Sequence, residues 1–226
     1  MRLDRFISNN TDLTRSEATV AIRNGRVCVD GVPLRRPEAK IDPASAVTLD
    51  GKVVRYSEFV WIMLNKPEGV VSATEDGGKT VLDLLPERYK RLGLFPCGRL
   101  DKNTVGLILL TNDGARAHNL LSPKSQTEKI YRFAVKFPLS QDDIAKLESG
   151  VDIPTTDGEN YKTAPCRVRL TGEREGEITL TEGKYHQIKL MMGAVHNQIT
   201  FLERISFAGI TLDPALARGE WKEIEI

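Results

Sequence analysis

The stretch Gly98-Arg99-Leu100-Asp101-Lys102-Asn103-Thr104 runs directly into Val105-Gly106-Leu107-Ile108-Leu109-Leu110-Thr111 and leaves through Asn112-Asp113-Gly114. The apolar centre is near-continuous, as in a strand buried on both faces, and Asn-Asp-Gly ends it in a turn. The polar segment before it, with Asp101, therefore stands on a loop at the mouth of a sheet. Loops held by rigid structure in this way commonly carry function. Two readings of Asp101 stand on pattern alone: a functional carboxylate, or the partner of Arg99 or Lys102 in a surface ion pair that contributes little.

Outward from that strand the chain reads as α+β. Residues 59–64 are an apolar strand, and 129–137 alternate, with Tyr131, Phe133, Val135 and Phe137 on one face. Residues 177–181 are strand-like. Residues 187–196 follow as a helix whose Ile188, Met191, Met192 and Val195 form an i, i+3, i+4, i+7 stripe, most simply core packing. Upstream, Leu3, Phe6 and Ile7 lie on one face of a short helix, and Thr14-Arg15-Ser16-Glu17 is a capping box opening a second, which Gly25 stops. Two strand pairs with tight turns follow, around Asp30-Gly31 and Asp50-Gly51. Polar residues 55–58 read as a linker, dividing the chain into a small unit, 1–58, and a larger one, 59–226.

Composition bounds the function. The chain has 226 residues, 40% hydrophobic and 28% charged, an ordinary globular balance. No apolar run approaches the roughly 20 residues of a membrane span. The opening MRLDRFISNN lacks the apolar core of a secretory signal, which leaves the cytoplasm as the expected compartment. Cys28, Cys97 and Cys166 are odd in number and form no C-x-x-C pair, which excludes a disulfide framework. Net charge is only +1, but residues 1–40 hold eight Lys/Arg against five Asp/Glu. That front is either a footprint for a polyanion or a solvated surface.

Most catalytic motifs fail. Asp76-Gly77-Gly78-Lys79-Thr80 ends like a phosphate-binding loop, but Ala73 stands where the first glycine is required. His118, His186 and His196 show no metal-binding spacing. There is no G-x-S-x-G and no G-x-G-x-x-G. A hydrolase, a zinc enzyme and a nucleotide-dependent enzyme all lose support, and neither metal nor organic cofactor is expected.

Taken whole, GRLDKNTVGLILLTNDG (98–114) closely resembles the central motif of the pseudouridine synthases, the RsuA-type branch in particular. Lys129-Ile130-Tyr131-Arg132-Phe133 resembles the family's tyrosine-bearing strand, and Glu182-Gly183-Lys184-Tyr185-His186-Gln187-Ile188-Lys189 its late strand-to-helix motif. The front unit, with RLDRFI, Thr14-Arg15-Ser16, Ile22-Arg23-Asn24-Gly25-Arg26-Val27 and Val29-Asp30-Gly31, is similar to an S4 RNA-binding domain. The motifs occur in the family's order across the whole chain.

The resemblance implies an S4 domain (1–58) followed by a catalytic domain (59–226) with a mixed, largely antiparallel sheet. It implies isomerisation of a uridine to pseudouridine: the N-glycosidic bond breaks, the uracil rotates, and it rejoins through carbon. Asp101 matches the catalytic aspartate, Tyr131 the tyrosine that packs on the target base, and Lys189 the basic residue that pairs with the aspartate. Whether Asp101 first adds covalently or deprotonates the sugar stays open. Arg99 matches a residue suited to filling the stack when the uridine flips out. Lys184, His186 and Gln187 belong to the substrate-contacting motif, and Met192 is assigned mainly to the core but kept as a wall of the uracil pocket.

Two positions depart from the branch. Lys184 replaces the usual Arg, losing the bidentate fork, and Leu190 replaces a second basic residue. In the front unit Arg15, Ser16, Arg23 and Arg26 are the phosphate-contacting candidates, positioning RNA without reading sequence. The expected partner is ribosomal RNA or a pre-ribosomal small-subunit particle, met by a monomer and not at a membrane. Gly209-Ile210-Thr211-Leu212-Asp213 and Gly219-Glu220-Trp221 look most like the branch member acting on small-subunit (16S) RNA. The alternatives are a large-subunit target, or a non-catalytic RNA-binding assembly factor.

Overall fold

The computed structural model describes residues 1–155 and 157–226, and they fall into two compact units. The first comprises Met1–Val60 together with Leu85–Leu94. Its helices α1 (Leu3–Asn10) and α2 (Arg15–Arg23) pack beside a four-stranded sheet of β1 (Val27–Val29), β2 (Val32–Pro33), β3 (Val47–Leu49) and β4 (Lys52–Val53), in the order β2-β1-β3-β4. Leu3, Phe6, Ile7, Ala18, Ile22, Val27 and Val47 form its core.

The capping box is present: the Thr14 hydroxyl accepts from Glu17 N, and the Glu17 carboxylate accepts from Thr14 N at 2.7 Å. Gly25 follows the helix at φ +75°, where a Cβ would meet the Arg35 guanidinium at 2.8 Å. The ten residues Leu85–Leu94 contain helix α3 (Glu87–Arg91), whose Arg88 Nε donates to Asn9 O at 3.3 Å and Arg91 Nη2 to Leu13 O at 3.2 Å. The division expected at residue 58 is thus a cut in sequence, while in space a piece from beyond it joins the first unit.

The second unit is Trp61–Leu84 with Phe95–Ile226. Its strands are β5 (Trp61–Lys66), β6 (Phe95–Cys97), β7 (Val105–Thr111), β8 (Lys129–Val135), β9 (Asp152–Pro154), β10 (Asn160–Lys162), β11 (Arg167–Leu170), β12 (Glu175–Leu180), β13 (Ile199–Phe207), β14 (Ile210–Thr211) and β15 (Trp221–Ile224). Its helices are α4 (Gly114–Leu121), α5 (Gln141–Ser149) and α6 (Gln187–Ala194). Among the described residues the main sheet runs β11-β12-β8-β13-β7-β5-β15, with β14 on β13 and β6 on β7, while β9 and β10 pair separately. Among the strand pairs of this sheet in the described residues, β13–β7 alone is parallel. The α+β class and the mixed, mostly antiparallel sheet are as the sequence implies.

β7 keeps the expected bounds because every one of its residues is buried, so the apolar run and the strand coincide. Four other elements differ at their ends, β12 among them, which runs Glu175–Leu180 where 177–181 is expected. The strand expected at 59–64 is Trp61–Lys66, in register with β7 from Trp61↔Thr111 to Lys66↔Gly106, so a lysine lies inside it. β8 stops at Val135, and Phe137 is 54% exposed beyond it. α6 ends at Ala194 instead of 196, and His196 takes φ +59°. At Gly106, φ is +98° and a Cβ would lie 2.3 Å from Arg204 O, so only glycine lets β7 and β13 approach this closely where the Asp101 loop enters the sheet.

Candidate active site

Asp101 lies on the loop between β6 and β7, and its side chain is 27% exposed. The loop is held through its backbone. Ser72 Oγ donates to Leu100 O at 2.8 Å and accepts from Leu100 N at 3.0 Å. Lys66, wholly buried, directs Nζ at the carbonyls of Asp101 (3.1 Å), Lys102 (3.2 Å), Thr104 (2.8 Å) and Pro67 (3.2 Å). Three ammonium protons serve four acceptors, so carbonyls that face inward find a donor where water cannot reach. Burial pushes Lys66 down to about 8, against the pull of the Asp101 and Glu68 charges and with the help of Lys189.

Lys189 reaches this loop from α6. Its Nζ lies 2.6 Å from Asp101 Oδ2 and 2.7 Å from Asn103 Oδ1. His186, the residue before the first turn of α6, places Nε2 3.6 Å from Asp101 Oδ1. His186 from the residue before the helix and Lys189 from its first turn both address the carboxylate, while Ile188, Met191 and Met192 are buried.

The turn before α6 is tied down by Glu182. One carboxylate oxygen accepts from Ala164 N (2.9 Å) and Gln187 Nε2 (2.6 Å), the other from the Tyr161 hydroxyl (2.6 Å). Gln187 Oε1 in turn accepts from Lys184 N at 2.8 Å. The Gln187 side chain is therefore engaged within the turn it closes. The Lys184 ammonium stands 4.1 Å over the Tyr161 ring, Met192 is wholly buried, and Arg99 is exposed on the Asp101 loop.

Tyr131 is buried in β8, in register with Arg204 of β13, which is in register with Gly106 of β7. At about 4.8 Å per strand, the Tyr131 backbone lies about 10 Å across the sheet from the entry of the Asp101 loop. Arg204, also buried, donates Nε to Leu107 O at 2.8 Å and lies 5.0 Å over the Phe207 ring; its Nη2 has no partner among the described residues.

Asp101, Lys189 and His186 thus meet directly, and Tyr131 lies in the sheet row at the loop's entry. Arg15, Ser16, Arg23 and Arg26 are exposed, on α2 and the turn after it in the first unit. Arg15 approaches Asp4 at 3.4 Å, and Arg26 pairs with Asp50 at 2.8 Å. Sequence reasoning missed Lys66, Ser72, Asn103, Glu182 and Arg204. Lys66 lies two residues past the apolar run 59–64, so the run itself gave no sign of a buried lysine.

A family model described as RNA pseudouridylate synthase matches residues 60–194, and an S4 domain model matches residues 1–45. The chain is 37% identical to ribosomal small subunit pseudouridine synthase A of Vibrio cholerae, covering 98% of this chain and 95% of that protein. It is 36% identical to the Escherichia coli protein of the same name, covering 99% and 96%. It is 44% identical to an uncharacterized RNA pseudouridine synthase, YtzG, of Bacillus subtilis, covering 99% and 95%. A crystal structure of a pseudouridylate synthase superimposes with a TM-score of 0.69 at 32% identity, covering 100% of this chain and 96% of that one. The chain belongs to the RNA pseudouridylate synthase family. It is an RNA pseudouridine synthase with an S4 domain at its front.

Proposed function

We propose that this enzyme converts a specific uridine of small-subunit ribosomal RNA to pseudouridine in the cytoplasm, with Asp101 as the catalytic aspartate. The observation that carries the assignment is the Asp101–Lys189 ion pair at 2.6 Å, on a loop anchored by a buried lysine. The isomerisation exchanges a C–N for a C–C bond within one nucleotide. It consumes no oxidant, nucleotide or metal, and needs a carboxylate near C1′ of the sugar and an acid or base near the uracil.

Asp101 supplies the carboxylate, Lys189 and Asn103 hold it, and Tyr131 offers a ring for the uracil and a hydroxyl for proton transfer. Arg99, exposed on the same loop, fills the stack vacated by the flipped uridine. Lys184 and His186 face the bound RNA from the rim. The domain comprising residues 1–58 grips the RNA by shape, through Arg15, Ser16, Arg23 and Arg26. The small-subunit target is supported by the similarity to proteins named for that substrate.

Tritium release from uracil-labelled transcripts tests this. Release from small-subunit RNA by the wild type, and none by Asp101→Asn, is expected. Release from large-subunit RNA alone overturns the target, and release from neither overturns the activity. Mapping pseudouridines in ribosomal RNA from cells with and without the protein then identifies the position.

A further inference from the structure

Tyr185 is 65% exposed, on the turn between Glu182 and α6. Single exposed aromatics are common, but this one is organised. Its ring stacks on that of His186, with centroids 3.8 Å apart and planes 20° apart, and His186 places Nε2 3.6 Å from Asp101 Oδ1. An aromatic surface therefore starts beside the carboxylate and ends in solvent.

The turn that presents it is fixed on both sides. Before Tyr185, Lys184 N donates to Gln187 Oε1 at 2.8 Å, and after it His186 O accepts from Leu190 N at 3.0 Å. His186 itself takes the left-handed conformation, φ 49° and ψ 27°. That conformation is uncommon for a residue with a Cβ, and where it persists the surrounding bonds hold it. A surface that only had to be soluble would need neither the bonded turn nor the ring stack.

We propose that Tyr185, backed by His186, is a stacking platform for the nucleobase adjoining the target uridine. Removing a uridine from its stack strips its neighbour of one stacked face, and an aromatic ring of fixed orientation beside Asp101 replaces that face. Any base has a π-face to offer, so the platform holds local RNA conformation and does not read sequence. Tyr185 is a binding residue: its loss weakens the RNA complex and leaves the chemistry intact. The proposal rests on Asp101 marking the active site.

The test uses the full chain and a short RNA containing the mapped uridine, made intact and with a single abasic nucleotide on either side. For the wild type, one of the abasic RNAs should bind roughly 10-fold more weakly, the size of one base–aromatic stack. Tyr185→Ala should show that loss on intact RNA and little further loss on that abasic RNA, because the two changes remove one contact. Tyr185→Phe should bind as the wild type does. Single-turnover rate at saturating RNA should stay within about twofold for Tyr185→Ala, the mark of a contact made equally before and in the transition state. Tyr185→Ala binding as tightly as wild type, losses that multiply, or a fall in rate without a fall in affinity would each overturn the platform. Asp101→Asn keeps the two readings apart. If it is inactive while Tyr185→Ala binds normally, the platform alone fails; if it still forms pseudouridine, the site assignment fails and the platform with it.

Discussion

A carboxylate that must meet substrate and still be held in place has to be anchored through its backbone, and Asp101 is anchored that way by Lys66 and Ser72. Asp101→Asn therefore keeps the backbone anchors of the loop, while it replaces the carboxylate and removes the charge that Lys189 pairs at 2.6 Å. Melting temperature and RNA affinity should stay, while pseudouridine formation falls by roughly 10⁴-fold or more, as for an essential nucleophile; tritium release within tenfold of wild type would sink the assignment. Tyr131 poses the opposite question, since it is buried and shares a strand face with Phe133 and Val135. Tyr131→Phe preserves ring and packing, so the melting temperature should hold. Turnover should drop by about 10²- to 10⁴-fold if the hydroxyl moves a proton, and wild-type turnover would reduce Tyr131 to a packing residue. The Asp101–Lys189 pairing was legible because whole motifs carried both residues. Lys66 was not, because the apolar run 59–64 suggests a strand two residues earlier than the real one and leaves the lysine outside it.

Elements were legible to the degree that burial imprints a period. β7 is buried along its length and α2 is opened by its own capping box, so both can be read locally. The parallel β13–β7 pairing and the Gly106 close approach depend on strands about a hundred residues apart, and no local pattern announces them. The clamp between β5 and the Asp101 loop is of the same kind, and it has a pH signature. Burial holds Lys66 near 8, below its ordinary 10.5, so between those values the unfolded chain binds more protons than the folded one. Unfolding free energy from this group therefore rises with pH across that window. Lys66→Met lacks the term and leaves four carbonyls without their donor, so it should be less stable than wild type. Urea unfolding at pH 7.5 and 9.5 should show the wild-type advantage growing with pH. A flat difference would mean that the carbonyls, which favour the ammonium, cancel the effect of burial.

At the scale of the molecule, the front unit borrows Leu85–Leu94 from beyond the linker, which changes how its role has to be tested. A five-residue helix carries too little periodicity to reveal which unit it joins, so the sequence divides the chain with one cut. Removing residues 1–58 would strip α1 from α3 and leave Leu85, Tyr89 and Leu94, all buried, without that support. A weakened truncation would then confuse lost RNA contacts with lost packing. Single substitutions on α2 and the turn after it avoid this, because Arg15, Arg23 and Arg26 are exposed and their loss opens no cavity. They should also differ from one another. Arg26 is engaged by Asp50 at 2.8 Å, whereas Arg15 lies 3.4 Å from an Asp4 that Arg2 already pairs at 2.8 Å. Arg15→Ala and Arg23→Ala should each weaken RNA binding and flatten its log–log salt dependence, by about 0.7 per phosphate contact on a single strand and about 0.9 on a duplex. Arg26→Ala should do least, since its guanidinium must first leave Asp50, and turnover at saturating RNA should be unchanged in all three. An unchanged salt slope in Arg15→Ala and Arg23→Ala would place the RNA grip away from α2, whatever became of affinity in a truncated chain.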